Sequence, residues 1–126
     1  MRLNQLTIPV SDIERSKEFY QRLGFRLLVD SPHYTRFLAP EGDTTFSLHV
    51  TADPVVPGAV IYLECDALDD EVAALKAEGF DFETDPADMG WLWREANLRD
   101  PDGHLIKLYH AGVNRIDPPW RVKPEA

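Results

Sequence analysis

The sequence predicts an α+β fold built from two tandem β-α-β-β-β modules, about residues 3–52 and 58–112, with an extended tail over 113–126. Three observations lead there. Short segments alternate apolar and polar residues with the period of a strand, and two amphipathic stretches each stop at a glycine. The order strand, helix, strands then recurs at a constant offset. Gly24-Phe25 and Gly79-Phe80 lie 55 positions apart, and the same offset carries Val10 onto Cys65, Ile13 onto Leu68 and Gln5 onto Val60. Neither half, alone, is long enough to bury one face of a sheet, so the repeat implies one domain.

Each element has a local cause. Residues 3–10 alternate through Leu3, Leu6, Ile8 and Val10 and read as a strand. Ser11-Asp12 offers a helix N-cap, Ile13, Phe19, Tyr20 and Leu23 fall mostly on one helical face, and Gly24 stands where a C-cap glycine belongs. Strands follow over 25–29, 33–39 and 44–50, separated by the turn-forming Asp30-Ser31-Pro32 and Pro40-Glu41-Gly42-Asp43. The second module reads as a strand over 59–64, a helix from Leu68 to Glu78, a short strand over 80–83, a longer one over 91–98 and a last over 104–109. Asp100-Pro101-Asp102-Gly103 is a strong turn between the final two. With a small insertion, Ser47-Leu48-His49 falls on Lys107-Leu108-Tyr109.

Composition narrows the function classes. The chain has 126 residues, with 13 Lys plus Arg against 22 Asp plus Glu, a net charge of −9. Such acidity argues against nucleic acid or an anionic membrane surface as partner, because both demand clustered cations. At 44% hydrophobic and 10% aromatic the chain can bury a core. One cysteine, Cys65, excludes an intrachain disulfide framework. No apolar run approaches the roughly 20 residues of a membrane helix, and the first ten residues lack the apolar stretch of a secretory leader. The expectation is a cytoplasmic protein.

The segments VSDIERSKEFYQRLGF at 10–25 and RDPDGHLIKLYH at 99–110, with LECDALDDEVAALKAEGF at 63–80 between them, resemble the vicinal oxygen chelate superfamily of glyoxalases, bleomycin resistance proteins and extradiol dioxygenases. The resemblance implies a cup-shaped curved sheet, commonly completed by pairing with a second chain. It also implies a small-molecule ligand in the cup. If the protein is catalytic, it implies electrophilic activation of vicinal oxygens by a lyase, isomerase or dioxygenase. The other reading is a non-catalytic protein that sequesters a drug or metabolite, and the charge of −9 favours a cationic one.

Glyoxalase-like members hold a metal at four strand positions, which map here onto Gln5, Ser47 or His49, Val60 and Lys107. Val60 cannot bind a metal, and Lys107 puts a cation where a carboxylate belongs. The expectation is therefore either no metal or one divalent ion (Zn, Fe, Mn or Ni) at a degraded or shifted site. Glu64, four residues beyond Val60 on the same strand face, would make the shifted set Gln5, His49 and Glu64.

Beyond the metal, Glu64 and His49 are the candidate catalytic groups, and Gln5, Tyr62, Trp93 and Lys107 the candidate substrate contacts. Glu64 and Lys107 are expected to form an ion pair, which either holds the carboxylate ready as a base or is structural. Trp91, Trp93, Glu95 and Asn97 share one face of the predicted strand; the tryptophans either form a platform for a planar group or cover a sheet edge or subunit interface. Tyr34 and Arg36 are further candidates at the mouth of the cavity. Cys65 reads as inert, Trp120 as docked on the body or a neighbouring chain, and the uncovered sheet edges point to a homodimer.

Overall fold

Both modules of the computed structural model, which describes residues 1–123, have the same topology, and each builds its own four-stranded sheet. The first unit spans Met1–Gly58 together with Asp100–His104; the second comprises Ala59–Arg99 and the chain from Leu105 onward. Among the described residues no helix is long and apolar enough to cross a membrane.

In the first unit β1 (Gln5–Val10), α1 (Ile13–Leu23), β2 (Arg26–Asp30), β3 (Tyr34–Leu38) and β4 (Thr45–Val50) give the strand order β1-β4-β3-β2. The two strands furthest apart in sequence, β1 and β4, pair in parallel, and the others pair antiparallel. The Asp12 carboxylate caps α1 by accepting from the Arg15 N–H at 3.1 Å, and Gly24 ends it at φ 111°, a conformation that a side chain would strain. The helix buries Ile13, Tyr20 and Leu23 against Ile8, Val10, Phe37, Phe46 and Leu48. The Tyr20 ring meets Phe25 edge-on at 5.5 Å and Phe46 at 4.9 Å, and its hydroxyl donates to Asp100 at 2.7 Å.

Asp100 belongs to the turn that the sequence marks only as a connection. Its other carboxylate oxygen accepts the N–H groups of Asp102 and His104 at 3.0 and 2.9 Å. Asp102 accepts from the Ser11 N–H and hydroxyl at 3.1 and 2.5 Å, and the His104 ring bonds the Pro9 carbonyl at 2.7 Å. The turn is thus an integral part of the first unit, fastened between β1 and the start of α1.

The second unit holds β5 (Val60–Glu64), α2 (Leu68–Ala77), β6 (Ala87–Asp88), β7 (Arg94–Arg99) and β8 (Leu105–His110) in the order β5-β8-β7-β6. Gln5 and Val60 both open their sheets, and Ser47 and Lys107 hold equivalent register positions, opposite Thr7 and Tyr62. The 55-residue offset is therefore a structural equivalence. Two expectations are corrected. The predicted strand over 80–83 is only a bridge from Phe82 to Leu98, and the paired edge comes later, at Ala87–Asp88. The strand predicted to start at Trp91 starts at Arg94, because Leu92 sits at φ 66° within a turn closed by the Leu92 N–H on Met89 and the Met89 N–H on Trp93. The tail opens with a 3₁₀ turn over Gly112–Arg115, and Trp120, expected to dock, stays 56% exposed in the single chain. Residues 124–126 of that predicted tail lie outside the described residues.

Candidate functional site

The register of β5, β8 and β7 sets three rows of side chains across one face of the second sheet. Val60, Leu105 and Arg99 make one row, Tyr62, Lys107 and Asn97 the next, and Glu64, Tyr109 and Glu95 the third. The opposite face carries the buried Ile61, Ala96, Leu98, Ile106 and Leu108. Strand alternation thus gathers the unit's polar and aromatic groups on one side.

At the centre lies an ion pair. The Lys107 ammonium is 2.6 Å from one Glu95 oxygen, and the Trp91 indole N–H donates to the other at 2.5 Å. The Glu95 side chain is 2% exposed and that of Lys107 15%, so both charges are largely desolvated. Three rings adjoin the pair. Trp93 stacks on Tyr109 at 4.7 Å, and Tyr62 stands edge-on to Tyr109 at 5.5 Å and to Trp93 at 6.1 Å. Trp93 is fixed by donating its indole N–H to the Asn114 carbonyl at 3.2 Å. Burial, followed by the Glu64 carboxylate, raises the Tyr109 hydroxyl above the ordinary tyrosine range.

The expected Glu64–Lys107 pair does not form. Glu64 accepts the Ala111 and Gly112 N–H groups at 2.9 and 3.2 Å and lies 3.6 Å from Arg115, while Lys107 turns to Glu95. Alternation placed Glu64 and Lys107 correctly on one face, but Glu64 ends its strand beside two backbone donors that need an acceptor. The signal that pointed to Glu95 was present: a carboxylate on the same predicted face as Trp91, Trp93 and Asn97.

On the first unit's sheet the corresponding face carries Gln5, Thr7 and Pro9 from β1, Thr45, Ser47 and His49 from β4, and Tyr34 and Arg36 from β3. Gln5 donates to Ser47 at 2.7 Å and accepts from Thr45. The Tyr34 hydroxyl is 2.7 Å from the buried Ser47 oxygen and accepts from Arg36 at 2.9 Å. The Ser47 hydrogen bond, opposed by burial and then aided by Arg36, lowers the Tyr34 hydroxyl below its ordinary value. His49 shares this face but is exposed, opposite Pro9 and four residues along from the Gln5 row.

The residues at the four implied ligand positions do not fit a divalent ion. Val60 has no donor atom, Lys107 brings an ammonium bonded to Glu95, both ends of the Gln5 amide are engaged by Ser47 and Thr45, and Ser47 is buried in that network. Gln5 turns toward Ser47 and not toward His49. Among the described residues no three His, Cys, Asp or Glu side chains are grouped as metal ligands would be. A shallow depression of about 260 Å³ lies at the start of α2, lined by Asp66, Asp69, Arg94 and His110. Its one Arg is already engaged, since Arg94 bonds Asp69 and Asp88 at 2.9 and 3.1 Å.

A family model described as the glyoxalase/bleomycin resistance protein/dioxygenase superfamily matches residues 2–108. The chain belongs to this superfamily. Solved structures of superfamily members match along nearly their whole length. A glyoxalase/bleomycin resistance protein/dioxygenase from Nocardioides is 21% identical with a TM-score of 0.79, over 98% of this chain and 90% of that one. A member from Sphaerobacter thermophilus is 28% identical with a TM-score of 0.73, over 87% and 97%. A bleomycin-binding protein in complex with bleomycin is 24% identical with a TM-score of 0.70, over 87% and 98%. No curated protein matches the chain. These likenesses establish the glyoxalase/bleomycin resistance fold of tandem β-α-β-β-β modules.

Proposed function

We propose that this superfamily member binds a small organic molecule on the polar face of its second module without a metal ion, and sequesters the molecule without transforming it. The observation that carries this reading is Lys107. Its ammonium occupies a position where the superfamily's chemistry calls for a carboxylate ligand, and Glu95 neutralises it at 2.6 Å. Electrophilic activation by a metal therefore has no ligand set here, whereas a half-exposed ring, two tryptophans and a few polar groups are what a small-molecule site requires. The net charge of −9 favours a ligand whose cationic groups lie away from the Glu95–Lys107 pair. Bleomycin, bound by one of the structural neighbours, is the first probe. Metal-free bleomycin titrated into the purified protein should quench tryptophan fluorescence saturably, with the same midpoint in the presence of EDTA and a weakened response in Trp93→Phe. Saturation that appears only after one Zn, Fe, Mn or Ni per chain is supplied would overturn the metal-free reading.

The proposal includes a homodimer in a cytoplasmic setting, where a lone cysteine stays reduced. The edge strand β2 is exposed along its whole length, with Leu27, Leu28 and Val29 at 36, 53 and 37%. An uncovered apolar edge invites pairing with a second copy. Sedimentation equilibrium should return about twice the 14.4 kDa chain mass at micromolar concentration, and a monomer mass there would sink the idea.

A further inference from the structure

The middle row of the second sheet holds three unspent hydrogen-bonding groups. The Asn97 side-chain oxygen is buried with no donor on it among the described residues. Such an orphan is rare in folded proteins and calls for an explanation. Lys107, its register neighbour on β8, spends one of its three N–H donors on Glu95 and has no other acceptor among the described residues. Tyr62, across β8 on the other side, is 49% exposed, and its hydroxyl has no hydrogen-bond partner among the described residues. Adjacent strands are about 4.8 Å apart, so the three groups fall within the span of one small functional group and the ring or chain that carries it.

We propose that Lys107, Asn97 and Tyr62 form a subsite for an uncharged carboxamide group. The inference rests on the small-molecule reading above and names the chemistry of the molecule held there. A carboxamide offers an acceptor oxygen to the Lys107 ammonium and a donor N–H to the Asn97 oxygen from one planar unit. A carboxylate would satisfy Lys107 but set a negative charge against the Asn97 oxygen and the buried Glu95. An ammonium would satisfy Asn97 but abut Lys107, whose cation lies 5.8 Å from the Tyr62 ring centre. Neutrality is imposed by the pair already present, since Glu95 and Lys107 cancel and any further charge would be desolvated without a partner. Tyr62, held by ring contacts and the nearby Lys107 cation with no hydrogen bond among the described residues, is the member of the row that can turn aside to admit the group and then pack on its apolar part.

Three probes with one ring test this: benzamide, benzoate and benzylamine, each titrated into the full chain and followed by the indole and Asn97 side-chain amide signals in ¹⁵N-resolved NMR. Benzamide should bind about tenfold more tightly than either charged analogue, the equivalent of one hydrogen bond. Asn97→Leu should abolish that preference while leaving the melting temperature unchanged or higher, because it removes an acceptor that the free protein leaves unsatisfied. A fall of several degrees in Asn97→Leu would mean that the oxygen has a structural partner, and would overturn the subsite. Bleomycin run alongside separates the two failures. If it binds while benzamide shows no preference, the subsite alone is wrong; if neither it nor any ring probe moves the indole signals, the small-molecule reading fails as well.

Discussion

Asp100→Ala should destabilise the chain by about 3–5 kcal/mol, because it strands three donors at once. The buried carboxylate, 5% exposed, accepts the Tyr20 hydroxyl and the N–H groups of Asp102 and His104, and alanine accepts none of them. Urea denaturation would show the loss as a lower midpoint at unchanged slope. Tyr20→Phe, which keeps the ring among Phe25, Phe37 and Phe46, should cost less, about 2 kcal/mol. The same pair predicts a pH dependence. Burial, and then the Asp100 carboxylate, raise the Tyr20 hydroxyl above its ordinary 10.0. The folded state therefore holds this proton more tightly than the unfolded state does. Its contribution is complete below pH about 10 and is lost as pH rises further. Tyr20→Phe should lack that alkaline component, and equal alkaline slopes in the two proteins would show that the Tyr20 proton plays no part.

Lys107→Met should be nearly as damaging, at about 3–5 kcal/mol, since it leaves the Glu95 carboxylate buried and uncompensated. The double variant Glu95→Gln/Lys107→Met removes both charges, and the glutamine oxygen can still accept the Trp91 indole N–H. It should recover most of the lost stability but not ligand affinity, because the ammonium is gone. Glu64→Gln supplies the control. Glu64 bonds Ala111, Gly112 and Arg115, so its substitution should add to Lys107→Met with no coupling energy. Strong coupling between positions 64 and 107 in that cycle would contradict the observed pairing.

The candidate site was legible by face and not by partner. Alternation put Tyr62, Glu64 and Lys107 on one side of the second sheet, and Gln5 and His49 on one side of the first, because a strand's side-chain period is two whatever surrounds it. It paired Lys107 with Glu64, whereas the folded chain pairs it with Glu95. Alternation also put Glu95 on its face with Trp91 and Trp93, but its pairing with Lys107 followed only once β7 and β8 were set in register and the turn at Leu92 brought Trp91 back over it. The strand predicted over 80–83 failed for a related reason. Its residues suit a strand, yet pairing needs a partner edge, and in the second module β7 finds that edge at Ala87–Asp88.

From the sequence alone came the 55-residue repeat, both helices with their glycine stops, the family and the unsuitability of Val60 and Lys107 as metal ligands. All of these depend on neighbours along the chain or on the chemistry of single side chains, which a linear string carries. Only the tertiary structure decided that Asp100 serves Tyr20, 80 positions away, that Lys107 belongs to Glu95, and that the Asn97 oxygen finds no donor among the described residues. Those outcomes turn on distances of about 3 Å between groups far apart in sequence. Several acceptors of equal chemical merit compete for each donor, and the register of the folded sheets selects among them.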